Sequence, residues 1–132
     1  MPLPITALYA GLIALWMIFL TVSVIVLRRE HRVSLGDGGN DRLGRRIRGH
    51  ANAVEQAPIA LILLGLSEGL GTPGWALHLL GVMLLAGRVL HGIHFLEKRK
   101  GLLFRQLGMV LTFLSIAFLA FSAIGHALAE IA

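Results

Sequence analysis

The sequence predicts an all-α integral membrane protein, built as a bundle of four transmembrane helices. Hydrophobic residues make up 56% of its 132 residues and charged residues only 14%, a balance far from that of soluble domains. Because one bilayer crossing needs about 20 apolar helical residues, the chain has room for at most four crossings with short connections. We therefore expect a single membrane domain spanning residues 1–132.

The net charge of +5 does not indicate nucleic acid, because the basic residues form short clusters beside apolar runs rather than a soluble basic surface. Membrane topology and anionic lipid headgroups explain most of them. The chain has no cysteine, which excludes disulfides, thiolate metal sites and a cysteine nucleophile. Any sulfur chemistry would have to use the sulfur of a substrate.

Helix 1 is predicted at about residues 4–29, where an apolar run ends at a cluster of charged residues. The segment "SLGDGGNDRLG" follows, and its glycines and short polar residues suit a loop with positive φ angles. Helix 2 is predicted at about 42–70. Its first half is amphipathic and only Ala57 to Leu66 is continuously apolar, so hydropathy alone makes it a weak crossing.

Helix 3 is predicted at about 74–97 and helix 4 at about 102–129, joined by the turn "KRKG". The first loop and its flanks carry seven arginines, whereas the second loop has no lysine or arginine; the seven are Arg28, Arg29, Arg32, Arg42, Arg45, Arg46 and Arg48. The positive-inside rule then predicts that loops 1 and 3 are cytoplasmic.

Two polar stripes interrupt the apolar helices. On helix 2, Arg48, Asn52 and Glu55 share one face, and on helix 3 Arg88 and His91 do the same. Glu55 and Arg88 should lie at similar depths, roughly 10 to 15 Å from the cytoplasmic end. Since an isolated charge inside a bilayer costs at least about 2.5 to 3.5 kcal/mol, we expect a Glu55–Arg88 pair in a polar pocket open to the cytoplasm.

That pair could instead only hold two helices together. The surplus of arginines favours a pocket, because arginine binds carboxylates in bidentate fashion. No metal site is expected, since His91 and His94 supply only two ligands. Pro58 should kink helix 2 beside Glu55, or is a proline of the kind that membrane helices tolerate.

The segment "RGHANAVEQAP" resembles the start of the second helix in the MAPEG superfamily, membrane-associated proteins in eicosanoid and glutathione metabolism. "GRVLHGIHF" is similar to the family's third helix, and "GDGG" to a loop of its small bacterial members. The resemblance implies a homotrimer of four-helix subunits that binds glutathione, as co-substrate, between neighbouring subunits near the cytoplasmic side.

The resemblance also implies roles for individual residues. Glu55 would meet the ammonium group of glutathione, and Arg105, with Arg99 as the alternative, would stabilise its thiolate. The binding residues implied are Arg28, Arg29, Arg48, Asn52, Glu55, Arg88 and His91. The sequence departs from several eukaryotic members, which have tyrosines where this chain has His91 and Phe95. Phe95 cannot donate a hydrogen bond.

We favour a glutathione transferase or peroxidase of the bacterial inner membrane that acts on small lipophilic electrophiles. A second hypothesis is a small proton-coupled multidrug transporter with Glu55 as its coupling acid. A third is a non-catalytic membrane protein whose polar stripe serves assembly, which Phe95 supports. Several polar groups need shielding from lipid, which favours a homo-oligomer.

Overall fold

The computed structural model describes residues 2–96 and 101–132, and these form four α-helices and no strand. The helices are α1 (Pro4–His31), α2 (Asp41–Gly69), α3 (Gly74–Leu96) and α4 (Leu102–Ile131). Their bounds lie within two residues of those expected. The predicted all-helical fold with four helices is confirmed. Residues 97–100, which include the predicted end of helix 3, most of the third turn and Arg99, lie outside the described residues.

The second and third helices form the centre of the bundle. Both pack against α1 and against α4, and they also pack against each other, whereas the backbones of α1 and α4 stay apart within the described residues. The apolar core follows this arrangement, with Tyr9 of α1, Leu64 of α2, Leu77 of α3 and Leu119 of α4 in one buried cluster. The end where α1 and α3 finish and α2 and α4 begin carries most of the arginines, and is called the basic end below.

At the basic end, the loop from α1 to α2 folds as its composition predicted. Gly36, Gly38 and Gly39 all have positive φ angles, which glycine adopts without steric penalty. Arg28 donates hydrogen bonds to the carbonyls of Ser34 (3.3 Å) and Gly36 (2.8 Å), so its side chain ties the loop to the end of α1.

The side chain of Asn40 caps the start of α2, where its Oδ1 accepts from the backbone N–H of Leu43 at 2.9 Å.

At the opposite end, Glu68 of α2 caps α1. Its two carboxylate oxygens accept hydrogen bonds from the backbone N–H groups of Ile5 (2.9 Å) and Thr6 (2.7 Å). These are two of the donors that a helix start leaves without an intrahelical partner, and a carboxylate also suits the positive end of the helix dipole. This contact joins α1 and α2 across 62 residues of sequence.

Two glycines allow α3 and α4 to cross closely. A Cβ on Gly108 would lie 2.7 Å from the backbone nitrogen of His91 and 2.8 Å from the carbonyl oxygen of Gly87. A Cβ on Gly87 would lie 2.9 Å from the carbonyl oxygen of Gly108. Only glycine permits this separation of the two backbones, as in other closely packed membrane helices.

Three of the helices in the described part of the chain, α1, α3 and α4, are long and apolar enough to cross a membrane. The protein is accordingly a membrane protein. The helix α2 is not among the three, although its 29 residues make it longer than α3. It runs unbroken through Pro58.

Gly108→Ala should destabilise the fold by about 1 to 3 kcal/mol, because the added methyl group meets backbone atoms that cannot rotate away. Thermal unfolding in detergent, followed by circular dichroism, measures the effect. Gly125→Ala is the matched control in the same helix, since Gly125 has no neighbouring atom within 4 Å. Equal melting temperatures for the two variants would contradict the close crossing.

Candidate functional site

A buried arginine lies at the centre of the polar residues near the basic end. The Arg88 side chain is only 1% exposed. Its Nε donates to Thr112 Oγ1 at 3.0 Å, and its Nη1 donates to Asn52 Oδ1 at 2.8 Å and to the Asn52 carbonyl at 3.4 Å. Nη2 contacts the sulfur of Met109 at 3.7 Å. All of these partners are neutral.

All four helices meet at this residue. Asn52 lies on α2, and Met109 and Thr112 lie on α4. From α1, the indole Nε1 of Trp16 donates to the backbone carbonyl of Arg88 at 3.1 Å. Thr112 is fully buried and donates its own proton to the Gly108 carbonyl at 2.8 Å, so its oxygen is free to accept from Arg88.

The predicted Glu55–Arg88 pair is wrong within this chain. Asn52 lies at the edge of the face of α2 that packs on α3, and it takes the place expected for the carboxylate. Glu55 follows Asn52 by three residues and therefore leaves α2 in a different direction, where its side chain is exposed. No hydrogen bond or ion pair reaches Glu55 within the described residues.

The outer face of α2 is therefore polar at the basic end. Arg48 and Glu55 are both exposed, one on each side of the half-buried Asn52 along the helix. Further along the same face, Ile59 and Ile62 are exposed and apolar. The face changes from charged to apolar along its length, and the predicted stripe of Arg48, Asn52 and Glu55 forms its charged part.

Beside this stripe, the ring of Phe95 on α3 is surrounded by cationic and aromatic groups. The guanidinium carbons of Arg45 and Arg105 lie over the ring, 5.7 and 5.8 Å from its centroid. The rings of His91 and His94 each lie 5.0 Å from it, centroid to centroid. His91 is buried, and its ring makes no hydrogen bond within the described residues.

A cavity of about 200 Å³ lies at the same place, lined by Arg42, Arg45, Phe95 and Leu96. Arg45 also donates to the carbonyl of His94 at 2.6 Å, near the end of α3, where a cation is favourably placed against the helix dipole. Arg45 is thus held by a hydrogen bond and by the aromatic ring together.

Arg28 and Arg29 line a separate cavity of about 320 Å³ at the end of α1, together with Arg32 and Val33. Arg28 has one nitrogen engaged by the first loop, whereas Arg29 is exposed. The structure therefore groups the predicted residues into four sets: the Arg88–Asn52 network, the exposed pair Arg48 and Glu55, His91 and Arg105 beside the Phe95 ring, and the arginines at the end of α1.

Sequence reasoning missed Thr112, Trp16 and Arg45. Thr112 is a small hydroxyl residue within an apolar helix, and such residues commonly bond to their own helix, so nothing singled it out. Arg45 was grouped with the residues that set topology. The signal that could have identified Arg45 was its spacing of seven residues before Asn52, which places both residues on the same side of α2.

An arrangement of this kind can hold an anion with arginine side chains and a cation with a carboxylate, at the edge of a membrane bundle. The fold and the site define a helical membrane protein with a polar, arginine-rich site at one end. The chain matches the MAPEG family model over residues 6–125, and it belongs to that family.

The chain is also similar to curated proteins of known location. It is 43% identical over 103 residues to the inner membrane protein YecN of Escherichia coli strain K12, a match that covers 74% of this chain and 79% of the relative. The same identity and coverage hold for the inner membrane protein YecN of Escherichia coli O6:H1 strain CFT073. Both matches support the family membership.

Thr112→Val should destabilise the protein by roughly 1.5 to 3 kcal/mol, because it removes an acceptor from a buried charged group while keeping the volume of the side chain. Thr112→Ser is the matched variant, since it keeps the hydroxyl and loses only a methyl group. Thermal unfolding of both in the same detergent provides the comparison. If the valine variant were as stable as the serine variant, the Arg88–Thr112 hydrogen bond would contribute little.

Proposed function

We propose that this protein is a glutathione-dependent enzyme of a bacterial inner membrane, and that it conjugates glutathione to small lipophilic electrophiles, or uses it to reduce them. The inner-membrane location is supported by the printed names of the two relatives. The class of reaction rests on the family resemblance and on the residues at the basic end.

The observation that carries the proposal is the exposed, charged part of α2. Arg48 and Glu55 have no hydrogen-bond or ion-pair partner within the described residues, and they flank the amide of Asn52. Glutathione has two carboxylates and one ammonium group. An arginine, an amide and a carboxylate on one face match those charges, since charge-assisted hydrogen bonds are among the strongest available.

The same observation supports a homo-oligomer, and the family resemblance makes a homotrimer our proposal. An ionised carboxylate facing lipid would cost several kcal/mol, and α2 is less apolar than the other three helices. In an oligomer, a neighbouring subunit would cover this face and complete the site, with Arg28 or Arg29 as the groups it brings. We propose that the basic end faces the cytoplasm, as the distribution of arginines predicts.

Arg88 and His91 would act indirectly. Both are buried, and Arg88 directs its donors to Asn52, Thr112 and Met109. We therefore assign Arg88 the task of fixing the orientation of the Asn52 amide, which is the group that can reach a ligand.

Arg105 is the group proposed to face the sulfur. It is exposed near the start of α4, and its guanidinium has no hydrogen-bond acceptor within the described residues. Bound glutathione would supply a thiolate nucleophile, and a nearby cation increases the thiolate fraction. Leu103 and Leu107, two residues to either side, are exposed and apolar, so a lipophilic electrophile could approach Arg105 from the bilayer.

Glutathione should bind to the purified protein in detergent, and Glu55→Gln should weaken binding by roughly 10- to 100-fold through loss of a charge-assisted hydrogen bond. Arg48→Ala should also weaken it. Isothermal titration calorimetry measures each dissociation constant. Glu130→Gln makes the same chemical change at the far end of α4 and should leave binding unchanged.

No binding by the parent protein, or equal binding by the parent and both site variants, would refute the proposal. The unpartnered Glu55 carboxylate also fits the transporter hypothesis. Loss of proton-coupled efflux in Glu55→Gln vesicles, together with no glutathione binding by the parent, would favour that second function.

Arg105→Ala should raise the pKa of the bound glutathione thiol toward its free value of roughly 8.5, because the cation that favours the thiolate is removed. Thiolate absorbance in the ultraviolet, titrated against pH, measures this pKa. Arg32→Ala, at the same end of the bundle but in the first loop, is the control. An unchanged thiol pKa in Arg105→Ala would assign the thiolate contact to another residue.

A further inference from the structure

We infer that Phe95 is a positioning residue for Arg105, holding the guanidinium at the basic end through its ring face; this inference rests on the function proposed above. The guanidinium carbon of Arg105 lies 5.8 Å from the centroid of the Phe95 ring, and the Arg105 side chain makes no hydrogen bond or ion pair within the described residues. A cation over an aromatic face is attracted by the electron density of the ring.

The Phe95 side chain is contacted by α2 and by its own helix. A Cβ on Gly49 of α2 would lie only 2.7 Å from Phe95 Cβ and 3.1 Å from its Cγ, so α2 packs directly against the start of this side chain. On its own helix, the His94 ring meets it edge-on, with an interplanar angle of 90°. Phe95 is half-buried, and these contacts fix the start of its side chain and one side of its ring. A ring held in this way can define the position of a flexible arginine.

The other cation on the same ring is fixed independently. Arg45 has its hydrogen bond to the His94 carbonyl in addition to the ring, whereas the Arg105 guanidinium meets no hydrogen-bond acceptor among residues 2–96 and 101–132. We infer that the ring orients Arg105 and leaves its N–H donors available to an anion. Two guanidinium groups sharing one ring repel each other, and an anion bound beside them would relieve that repulsion.

The proposed contact gives a role to Phe95, a residue that in the sequence supports a non-catalytic protein. A phenylalanine cannot donate a hydrogen bond to a ligand, as a tyrosine can. It presents the same aromatic face to a cation, however, and a cation–π contact does not need the hydroxyl group. The side chain at this position then acts on the sulfur through Arg105 and not by direct contact.

The test compares Phe95→Leu, which removes the ring, with Phe95→Tyr, which keeps it. In the ligand-free protein, nuclear magnetic resonance of labelled arginine should show an upfield ring-current shift for the Arg105 side chain, assigned with Arg105→Lys. We expect this shift in the parent and in Phe95→Tyr, and its loss in Phe95→Leu. Phe113→Leu, on the exposed surface of α4, should keep it.

In the glutathione-bound protein, Phe95→Leu should lower the thiolate fraction at fixed pH by roughly two- to fivefold, the value of one exposed cation–π contact. Phe95→Tyr should match the parent. The dissociation constant of glutathione should change little, because Arg48 and Glu55 are untouched. A merely structural role would lower the melting temperature and weaken binding without moving the thiol pKa selectively.

An absent ring-current shift in the parent would overturn the inference and leave the glutathione proposal standing. So would a Phe95→Leu variant with the parent's thiol pKa, if Arg105→Ala raises that pKa. Failure of the parent to bind glutathione would instead refute the proposed function, and the ring-current comparison would still decide whether Phe95 positions Arg105.

Discussion

The structure depends on the burial of one guanidinium group. Arg88 is surrounded by protein on every side and has no carboxylate partner within the described residues, so its charge must be stabilised by neutral acceptors. Those acceptors can reach it only if the helices approach closely and at a fixed rotation. The glycine crossing of α3 and α4 brings Thr112 within 3.0 Å, and the register of α2 presents Asn52. A buried charge with incomplete hydrogen bonding would cost several kcal/mol, so the network favours one arrangement of the bundle over its alternatives.

The burial of Arg88 also determines which residues of α2 lie on its outer face. Because Asn52 is turned inward to meet it, the neighbouring charged residues of the stripe, Arg48 and Glu55, lie on the outer face. A single subunit thus has its polar network satisfied at its centre and a charged surface exposed at the level of the membrane. One edge of α2 completes the interior of the bundle, and the next edge exposes the charged residues that we propose recognise a ligand or a neighbouring subunit.

The four helices could be predicted from the sequence, because apolar runs, glycine-rich turns and arginine clusters are local signals. It also placed Arg48, Asn52 and Glu55 on one face. It predicted the wrong partner for Arg88. Charge complementarity and similar depth favour Glu55 as that partner, whereas the packing of the helices selects Asn52. Rotation of one helix against another by about 60° decides between residues three apart, and periodicity does not fix that rotation. Glu68 was missed for a related reason, because its partners are backbone N–H groups of α1 that a residue pattern cannot show.

Arg88 and Arg105 differ in what they can do. Arg88 is enclosed by its own partners, whereas Arg105 is exposed, has no hydrogen-bond acceptor among the described residues and lies 5.8 Å from the centroid of the Phe95 ring. A guanidinium that stabilises a developing negative charge must be oriented before the ligand arrives and yet have donors to offer. A hydrogen bond to protein would orient it but occupy a donor. In our proposal, the cation–π contact with Phe95 orients Arg105 and occupies no donor. A phenylalanine is therefore a suitable neighbour for an arginine proposed to bind a thiolate.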